Sequence, residues 1–584
     1  MANKVISKVI DCLNNNHHFV LEAGAGAGKT YTLMQTINYI QKEYISKLNR
    51  EPNILCITFT NVAKNEIKER INSNKGIIIN TLHEFLWDFI KQFQSELIKV
   101  VKEIIDFEKG KLKIKINKAL NLIETPTKRT NVEKKRLELE SDQKKLTKLE
   151  NSNFNEIKYK GYSALYKGII SHNDIIKITL NFLENDYFMN LFFNQFTHIF
   201  IDEFQDIDRE TLLKILEKSK EFKDNLLVIG LFGDRMQQIY SSENIEIDYA
   251  SYNFEVIPKL DNYRSCKEII LANNALRNDG LEQEPKNSDV KLDKLQFILN
   301  LNPSDESLKG YLEEDFGLYK RLFLNHREIA EELGFPSLSS VFNEEYGFMT
   351  IDKLLKKEDP FIYLIAELVV EGLINYKYGS QAALLKNLSI KEFDMDYLEK
   401  LDTKLSKLLV TEPNLSELLT FLEQNKLIRK KKLNDILDYY KENDKWSFIE
   451  KLLNISVDEY EHFYYQVNKL TNLDTLQGVK GDEFPKVIIN VRMEQSWTKY
   501  NFDKLFREGV NDSASVQNAF KLFYVACTRP REALIINYIC NEKMESSEIQ
   551  EALFKNILKM FGDKVETYLY DNVGMISYNI EQTI

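Results

Sequence analysis

The stretch LEAGAGAGKTYTL, residues 21–33, sets three glycines and three alanines in front of a Lys-Thr pair. Apolar residues 19–21 predict a short buried strand, and the periodicity of residues 31–40 predicts a helix after the stretch. Small residues at such a junction let backbone N–H groups turn inward on an anion at the helix N-terminus, where the helix dipole favours negative charge. The pattern therefore predicts a phosphate-binding loop; the alternative is a small-residue turn that only packs a helix onto a sheet.

The side chains of this loop have distinct expected roles. Lys29 would reach the β- and γ-phosphates of a nucleoside triphosphate, and Thr30 would hold Mg²⁺. Ala23 stands where the usual pattern opens with glycine. The expected nucleotide-binding residues of the loop are Ala23, Gly24, Ala25, Gly26, Ala27, Gly28, Lys29, Thr30 and Tyr31.

Composition narrows the class of protein. At 584 residues the chain is long enough for about three to five domains. Its hydrophobic content of 43% can fill several cores and excludes a disordered chain. The formal net charge of −11 argues against a uniformly basic nucleic-acid binder but leaves a local basic groove open. Residues 109–148 hold 13 Lys or Arg against 5 Asp or Glu, which indicates a solvated helical face or a patch that follows a nucleic-acid backbone.

Cysteine spacing and apolar runs predict the compartment. The cysteines are far apart and form no C-x-x-C pair, so we expect reduced thiols and no zinc or iron–sulfur site. They are Cys12, Cys56, Cys266, Cys527 and Cys540. The first residues lack the apolar core of a signal peptide, and the most apolar stretch, residues 361–376, is interrupted by Glu367 and Glu371. These features predict a soluble cytoplasmic protein.

Short apolar runs alternate with helical periodicity in two parts of the chain. Runs at 54–57, 77–79, 198–201 and 226–230 are each followed by a turn and a helical pattern. A second series begins after residue 260, with a strand, turn and helix over 319–335, and resumes at 487–491 and 534–537. This alternation predicts parallel sheets with helices on both faces. Two long helical stretches, 87 to about 195 and 350 to about 470, predict an insertion in each α/β domain.

The stretch HIFIDEFQDID, residues 198–208, is an apolar strand that ends in two adjacent acids. Asp202 at the end of a strand can hold Mg²⁺, and Glu203 can orient and deprotonate an attacking water. The alternative is that two acids after a strand cap a helix. With Lys29 and Thr30 in the same chain, nucleotide hydrolysis is favoured.

Eight motifs in this chain follow the order typical of the UvrD/Rep family of superfamily 1 DNA helicases, which the chain resembles from residue 21 to about 538. They are AGAGAGKT (23–30), ITFTNVAKNEIKERI (57–71), NTLHEF (80–85), DEFQD (202–206), GDRMQQIY (233–240), NYRS (262–265), TLQGVKGDEF (475–484) and YVACTRPRE (524–532). One such string is weak evidence, whereas the full ordered set is specific.

In that family two RecA-like motor domains close on ATP, and DNA lies across both. By motif position, the resemblance implies that Gln237 senses the γ-phosphate, Tyr263 stacks on adenine and Glu483 meets the ribose. It also implies that Arg264 and Arg529 reach across the cleft to the γ-phosphate, where guanidinium groups stabilise transition-state charge. For an isolated arginine the alternative is a surface ion pair. The expected catalytic residues are Lys29, Asp202, Glu203, Gln237, Arg264 and Arg529.

The resemblance also implies a contact with single-stranded DNA. Hydroxyl and amide groups can position phosphates, and aromatic rings can stack on bases without reading sequence. The residues in the matching motifs are Thr58, Phe59, Asn61, Thr81, His83, Tyr240 and Gln477. Phe59 and Tyr240 could equally be core aromatics. Members of this branch move 3′ to 5′, and only the resemblance implies that direction here.

The chain departs from the family pattern in three places. Residues 1–20 contain no glutamine, whereas the family reads adenine with one before the loop, so nucleotide choice stays open. Residues 241–243 are Ser-Ser-Glu where an aromatic residue, Arg and Gly commonly follow, so one base-stacking wedge is missing or supplied elsewhere. Gln477 replaces the usual histidine and Asp482 an apolar residue, which weakens the expected DNA contact of that motif.

The expected architecture is α/β, with two RecA-like P-loop motor domains that are each interrupted by a mainly helical insertion. The first motor domain comprises 1–86 and 196–258, around an insertion at 87–195. The second comprises 259–348 and 471–584, the latter with the C-terminal tail, around an insertion at 349–470. Residues 539–584 are too few for the nuclease domain that some relatives carry.

These features favour an ATP- and Mg²⁺-dependent DNA helicase or translocase, moving 3′ to 5′, in DNA repair, recombination or antiphage defence. The alternative is a DNA- and nucleotide-sensing ATPase subunit that regulates a partner nuclease without processive unwinding. Compact members with such insertions resemble helicase components that work beside an OLD-type nuclease in Gabija-type antiphage systems. The expected partners are single-stranded or tailed duplex DNA and such a nuclease, with no membrane.

Overall fold

The computed structural model describes most of the chain. The described residues are 2–44, 51–71, 76–124, 132–160, 163–220, 227–240, 247–277, 279–302, 310–311, 316–347, 354, 359–365, 370–377, 395–425, 427, 430–442, 445–493, 499–540, 547–571 and 574–578. The chain divides into two compact units, Met1–Asp289 and Val290–Ile584, here called unit 1 and unit 2.

Unit 1 is built on a parallel sheet. Its strands are β1 (His18–Ala23), β2 (Ile54–Thr58), β3 (Ile77–Thr81), β4 (Lys158–Tyr159), β5 (Ile169–Ile170), β6 (His198–Asp202), β7 (Val228–Gly233), β8 (Phe254–Lys259), β9 (Asp261–Asn262) and β10 (Glu284–Pro285). The six main strands pair in parallel in the order β3-β2-β6-β7-β1-β8. Every residue of β2, β6 and β7 is buried, as expected for parallel strands covered on both faces.

The helices of unit 1 pack on this sheet and on one another. They are α1 (Ala2–Asn14), α2 (Lys29–Tyr39), α3 (Asn61–Arg70), α4 (Leu82–Ile90), α5 (Gln94–Glu124), α6 (Val132–Glu150), α7 (His172–Phe182), α8 (Asp186–Gln195), α9 (Arg209–Ser219) and α10 (Lys267–Leu276). Side-chain caps define several starts, because Thr60, Thr81 and Asp208 each accept a hydrogen bond from the first turn. Ile40–Tyr44 continues α2 as a short π-helix.

The helical insertion of unit 1 shares its core with the sheet. Phe85 of α4 packs against Phe192 and Phe196 at centroid distances of 5.9 and 5.8 Å. These rings belong to one buried cluster with Ile57 of β2 and Ile201 of β6. The insertion is therefore held on the motor sheet by a continuous apolar core.

The basic run at 109–148 lies on α5 and α6, with residues 125–131 outside the described part. Its lysines form local ion pairs: Lys109–Asp106, Lys111–Glu108, Lys113–Glu150, Lys115–Asp142 and Lys135–Glu138. These pairs fit the interpretation of the run as a solvated helical face.

Unit 2 is built on a second, mainly parallel sheet. Its strands are β11 (Lys294–Asn300), β12 (Tyr319–Phe323), β13 (Leu473–Thr475), β14 (Phe484–Arg492), β15 (Pro530–Ile539), β16 (Glu566–Asp571) and β17 (Gly574–Ser577). They pair in the order β13-β12-β14-β15-β11-β16-β17, and only β17 is antiparallel to its neighbour among these strands.

The helices of unit 2 fall mostly between β12 and β13. They are α11 (His326–Leu333), α12 (Pro336–Tyr346), α13 (Pro360–Leu364), α14 (Glu371–Lys377), α15 (Met395–Val410), α16 (Leu415–Gln424), α17 (Lys430–Glu442), α18 (Trp446–Leu453), α19 (Val457–Val467), α20 (Phe502–Glu508), α21 (Ala514–Cys527) and α22 (Ser547–Phe561). Buried apolar residues of this helical region, from Ala330 to Phe463, form a hydrophobic cluster of their own.

The predicted fold class is confirmed, since both sheets are parallel and flanked by helices. The strands expected at 54–57, 77–79, 198–201, 226–230, 487–491 and 534–537 are present, although β7 begins later and β14 and β15 are longer than predicted. The five cysteines all lie among the described residues, each is buried, and none is joined in a disulfide. Within the described residues, no helix has the length and apolarity to cross a membrane.

Candidate nucleotide site and nucleic-acid interface

Three neighbouring strands of unit 1 end at one edge of its sheet. β6, β7 and β1 are adjacent and parallel, so their last residues, Asp202, Gly233 and Ala23, lie at the same edge. In open α/β sheets, ligands bind in the crevice outside the carboxyl ends of the strands. The loops after these three strands therefore form the candidate nucleotide site.

The loop after β1 has the backbone of an anion-binding turn. Gly26 and Gly28 have φ values of 71° and 76°, in the left-handed region that favours glycine. Gly28 is the N-cap residue of α2 and supplies no side-chain cap, so the first N–H groups of this helix face the loop. A helix N-terminus of this kind favours a phosphate.

Lys29 brings a cation between this loop and the acidic motif. Its Nζ lies 3.4 Å from Ala23 O and 3.7 Å from Glu203 Oε1, and its side chain is 10% exposed. Thr30 is half-buried at the next position of α2. The ammonium is thus placed where a nucleotide's terminal phosphates would meet the loop.

The two acids after β6 have different environments. Asp202 is buried, and burial together with the neighbouring Glu203 carboxylate raises its pKa to about 7, against the opposing charge of Lys29. Glu203 adopts φ 51° and ψ 44°, a left-handed conformation that is uncommon for a residue with a Cβ. Backbone strain of this kind concentrates at functional sites, where the surrounding structure holds it in place.

A series of hydrogen bonds links Glu203 to Gln237. Gln205 Nε2 donates to Glu203 Oε2 at 2.5 Å, and Gln205 Oε1 accepts from Asp234 N at 3.2 Å. Asp234 Oδ2 accepts from Gln237 Nε2 at 2.8 Å. Gly233 permits this approach, because a Cβ at that position would overlap Gln205 Oε1. Sequence reasoning assigned no role to Gln205 or Asp234, since their contact joins two loops that are distant in the chain.

The other side of the phosphate-binding loop is held by two amides. Asn262 Nδ2 and Gln283 Nε2 both donate to Ala25 O at 3.0 Å, and Asn262 Nδ2 also donates to Gln283 Oε1 at 3.2 Å. A Cβ at Gly24 would overlap the Gln283 side chain, and one at Gly26 would lie 2.8 Å from Asn262 Oδ1. These glycines are therefore required for close approach as well as for turning.

Tyr263 and Arg264 lie beside the same loop. Tyr263 N donates to Gly26 O at 3.0 Å, and its ring is 46% exposed. Arg264 N donates to Asn262 Oδ1 at 2.9 Å, and Arg264 Cβ would lie 2.7 Å from a Cβ on Gly26. Tyr31 on α2 is also exposed, at 55%.

The division of the chain differs here from the sequence interpretation. That interpretation starts the second motor domain at residue 259 and has Arg264 act from across the cleft. In the structure, residues up to Asp289 group with unit 1. The physical reason is that β8 pairs with β1, and that Asn262 and Gln283 are bonded to the loop after β1.

Unit 2 holds the remaining predicted site residues, which are Arg529 and Glu483 for the nucleotide and Gln477 for DNA. Arg529 is 1% exposed, and its guanidinium donates to Val525 O, Asp482 O and Thr528 Oγ1 at 2.8, 3.2 and 2.8 Å. Its nitrogens therefore have acceptors within its own unit. Glu483 is exposed at the residue before β14, and Gln477 is half-buried in the turn after β13.

Two of the predicted DNA-contact residues meet directly. Phe59, after β2, and Tyr240, after β7, are stacked with ring centroids 4.9 Å apart and an interplanar angle of 26°. Tyr240 is 45% exposed and Phe59 is half-buried. Partly exposed stacked rings are a suitable platform for a base. Residues 241–243, where the chain departs from the family pattern, lie outside the described residues.

The other predicted DNA-contact residues of unit 1 lie at helix starts. Thr58 is buried and its hydroxyl donates to Thr60 O at 3.2 Å, so its side chain shapes the turn. Asn61 is exposed at the first residue of α3. Thr81 caps α4, and His83 in the first turn of α4 packs edge-on against His172 at 4.9 Å. The helix starts at Asn61 and Thr81 present N–H groups and polar side chains of the kind that position phosphates.

Comparison with known proteins tests the resemblance. Residues 3–250 match the family model for the UvrD/REP helicase N-terminal domain. The predicted resemblance is confirmed, because this part of the chain is similar to the UvrD/REP helicases.

Similar proteins extend over nearly the whole chain. Gabija protein GajB of Bacillus cereus is 26% identical over 94% of this chain and 97% of its own length. A probable DNA helicase II homolog of Mycoplasma genitalium is 24% identical over 96% of this chain and 87% of its own. The ATP-dependent DNA helicase PcrA of Staphylococcus epidermidis is 25% identical over 88% of this chain and 80% of its own. These matches support a DNA helicase of the ATP-dependent class.

Proposed function

We propose that this UvrD/Rep-like chain is an ATP-driven motor that moves 3′ to 5′ along single-stranded DNA. The observation that carries the proposal is the connected set from Lys29 through Glu203, Gln205 and Asp234 to Gln237 at one edge of the sheet. It joins a phosphate-binding cation, a general base and an amide that can respond to the terminal phosphate. The direction rests on the resemblance alone.

In the proposed reaction the chain positions ATP for attack by water. Lys29 and the N–H groups at the start of α2 bind the phosphates. Glu203 accepts a proton from the attacking water while the oxygen of that water bonds to the γ-phosphorus. The bond between this phosphorus and the bridging oxygen breaks, which releases ADP and phosphate. The Gln237 amide responds to the loss of the terminal phosphate, and the hydrogen bonds through Asp234 and Gln205 connect that response to Glu203.

An Mg²⁺ ion fits the donors present at this edge. The Thr30 hydroxyl and the Asp202 carboxylate are the oxygen ligands that Mg²⁺ prefers. Burial, with the neighbouring Glu203 carboxylate, raises the pKa of Asp202, and a bound cation would favour the ionised form of this carboxyl. When bound, the ion neutralises charge on the phosphate oxygens.

Two arginines and a tyrosine would complete the nucleotide site. Arg264 beside the phosphate-binding loop would stabilise charge on the γ-phosphate, and Tyr263 would stack on the base. Arg529 would have to exchange its present acceptors, two backbone carbonyls and the Thr528 hydroxyl, for a phosphate. Glu483 is proposed to meet the ribose.

The proposed DNA path crosses the stacked rings of Phe59 and Tyr240. Base stacking on aromatic rings tolerates any sequence, as a translocating motor requires. The helix starts at Asn61 and Thr81, with His83, would position the backbone, and Gln477 would add a contact from unit 2. The natural substrate is proposed to be single-stranded or tailed duplex DNA.

The proposed setting is DNA repair, recombination or antiphage defence, with a nuclease as partner in the last case. The match to Gabija protein GajB over 94% of the chain favours defence. The same match supports a second candidate function, in which ATP hydrolysis regulates a partner nuclease without processive unwinding. The two candidates share the nucleotide site and differ in whether the isolated chain separates strands.

Steady-state ATP hydrolysis with and without single-stranded DNA tests the shared site. DNA should stimulate the wild-type rate, and Glu203→Gln should abolish the stimulated rate because it removes the proton acceptor while keeping the size of the side chain. Equal rates in the two proteins would contradict the assignment of Glu203. A Glu210→Gln variant, altered on an exposed part of α9, is the matched control.

Strand separation distinguishes direction and function. Duplexes with a 3′ or a 5′ tail of equal length are compared for unwinding by the isolated chain. Unwinding of the 3′-tailed duplex alone is expected for the motor. Preference for the 5′ tail would refute the direction, and DNA-stimulated hydrolysis without unwinding of either duplex would favour the regulatory function.

A further inference from the structure

Arg277 lies outside every motif that supports the proposed function. It follows the last residue of α10, and its side chain is 3% exposed. Its Nη1 and Nη2 donate to Asp234 Oδ2 and Oδ1 at 3.2 and 3.1 Å. A two-pronged contact of this kind fixes the orientation of a carboxylate in addition to neutralising its charge.

Asp234 is the residue through which Gln237 and Gln205 are connected, the first by its carboxylate and the second by its backbone N–H. Its side chain is fully buried and accepts from Gln237 Nε2, while its N–H donates to Gln205. Burial alone would raise the pKa of Asp234, but the Arg277 guanidinium, with Lys29, holds it below its usual range. Asp234 therefore stays ionised in the interior because Arg277 is there.

The helix that precedes Arg277 is also linked to the phosphate-binding loop. α10 begins just after the segment that contains Arg264, and Arg277 follows its C-terminal end, about 15 Å away along a ten-residue helix. Asn274 on this helix donates through Nδ2 to Gln283 O at 2.9 Å and accepts from Gln283 N at 3.0 Å. Gln283 in turn donates to Ala25 O. α10 is thus linked to the phosphate-binding loop through Gln283, and the residue that follows the helix contacts Asp234.

We infer that Arg277 is a positioning residue for ATP hydrolysis, which holds Asp234 and, through it, the Gln237 amide and the Gln205 contact to Glu203. The inference rests on the proposed function of this site. Arg277 acts through other residues, so its replacement should affect the turnover step more than nucleotide binding.

The first test replaces Arg277 by methionine, which keeps the length of the side chain and removes its charge and its fork. The DNA-stimulated kcat for ATP should fall about tenfold or more, because small displacements of catalytic groups are costly. The KM for ATP should change by less than about threefold, since the contacts of the phosphate-binding loop are retained. Arg277→Lys keeps the charge but cannot make the two-pronged contact, so its kcat should lie between those of Arg277→Met and the wild type.

Asp279 offers a matched control. It accepts from Arg277 Nε at 2.9 Å and from Nη2 at 2.6 Å, but its side chain is 25% exposed, at the surface end of the guanidinium. Asp279→Asn should leave kcat within about twofold of wild type, because an exposed ion pair contributes little. An equal loss in Asp279→Asn and Arg277→Met would overturn the inference.

A second substitution separates positioning from loss of folding. Adding Asp234→Asn to Arg277→Met removes the uncompensated buried carboxylate and keeps an oxygen that accepts from Gln237. The double variant should recover kcat by about threefold or more relative to Arg277→Met, as expected for coupled residues. If Arg277→Met fails to fold, Arg277→Lys takes its place, and a kcat for Arg277→Lys within about twofold of wild type overturns the inference.

Lys29→Ala distinguishes the inference from the function on which it rests. Loss of hydrolysis in Lys29→Ala with wild-type kcat in Arg277→Met would refute only the role of Arg277. Full hydrolysis in Lys29→Ala would refute the nucleotide site, and the inference with it.

Discussion

The sheets of unit 1 and unit 2 share parallel pairing but differ in the side chains near their carboxyl ends. In unit 1 that edge carries an ammonium and carboxylates, from Lys29 to Asp234. In unit 2, Asn537 Nδ2 donates to Asn490 Oδ1 at 2.9 Å and its Oδ1 accepts from Asn300 Nδ2 at 3.2 Å. All three asparagines are buried. A ladder of neutral amides thus joins β11, β15 and β14 near their carboxyl ends, whereas charged groups occupy the loops at the edge of unit 1.

The difference shows that this fold does not by itself determine chemistry. A buried amide ladder pairs donors with acceptors inside the sheet and so contributes to rigidity. Buried carboxylates that share one ammonium favour an added cation, and the ammonium and helix N-terminus favour an added anion. Function therefore follows from the loops on each sheet rather than from strand order.

Lys29→Ala should have the largest effect, because it removes the cation from the charged edge. The DNA-stimulated rate of ATP hydrolysis should fall about 10²- to 10³-fold, the usual loss when a donor to a developing phosphate charge is removed. Steady-state hydrolysis measures it. Lys42→Ala, an exposed change in the helical segment after α2, is the control. A Lys29→Ala rate within tenfold of wild type would contradict the assignment.

Asn537→Leu should disrupt the amide ladder of unit 2 and leave the charged groups at the edge of unit 1 unchanged. It leaves Asn300 Nδ2 without its Asn537 acceptor and Asn490 Oδ1 without its Asn537 donor, which should lower the free energy of unfolding by about 2–4 kcal/mol. Urea unfolding measures this loss of free energy, and hydrogen exchange of the amides in β14 and β15 shows whether it arises at the ladder. Val491→Ile on β14, an apolar change at a buried position, is a comparison of similar volume. A stability loss for Asn537→Leu no larger than for Val491→Ile would refute the structural role of the ladder.

Tyr240→Ala tests whether the stacked rings of unit 1 take part in binding single-stranded DNA. Removing one stacking surface should raise the Kd for single-stranded DNA about tenfold, because stacking contributes about 1–3 kcal/mol per base. Fluorescence anisotropy with a labelled oligonucleotide measures it, and Phe59→Ala should act similarly since the two rings are stacked. Tyr187→Ala, at a ring that is 72% exposed on α8, is the control. Equal affinities for Tyr240→Ala and Tyr187→Ala would place the DNA elsewhere.

The sequence predicts most of the fold because buried parallel strands are local apolar runs. It misses β8, where Pro258 argues against a strand and the charged residues Glu255 and Lys259 interrupt the apolar run. The structure explains the exception, since β8 pairs only with β1 in this sheet and proline is tolerated in an edge strand. The predicted strands also omit β11, β13, β16 and β17, the last two within the stretch interpreted as the end of the second motor domain with a C-terminal tail.

The candidate site is predictable only as far as its motifs are local. Lys29, Asp202 and Glu203 follow apolar strands, so their chemistry can be inferred from neighbouring residues. The contacts of Gln283 with Ala25 and of Arg277 with Asp234 join segments far apart in the chain. No local pattern indicates such pairs, because each joins residues that only the tertiary fold brings together.

Glu328 provides the smallest test of the comparison, because it is a buried carboxyl in unit 2. It lies in the first turn of α11 and is 4% exposed. Burial raises its pKa from 4.5 to about 7, against the opposing charge of Arg492. The folded protein therefore holds a proton that the unfolded chain releases first, so the stability contribution is complete below pH 4.5 and is lost as pH rises through about 7.

Glu328→Gln should reduce this pH dependence, because glutamine does not titrate. The full difference in pKa corresponds to at most about 3 kcal/mol, and we expect a change of about 1 kcal/mol between pH 5 and pH 8, since Asn325 also hydrogen-bonds the ionised group. Thermal unfolding at both pH values measures it. Glu344→Gln, an exposed change on α12, should keep the wild-type dependence. If Glu328→Gln also keeps it, the carboxyl is ionised in the folded state, and unit 2 would hold a buried ionised carboxylate as unit 1 does at Asp234.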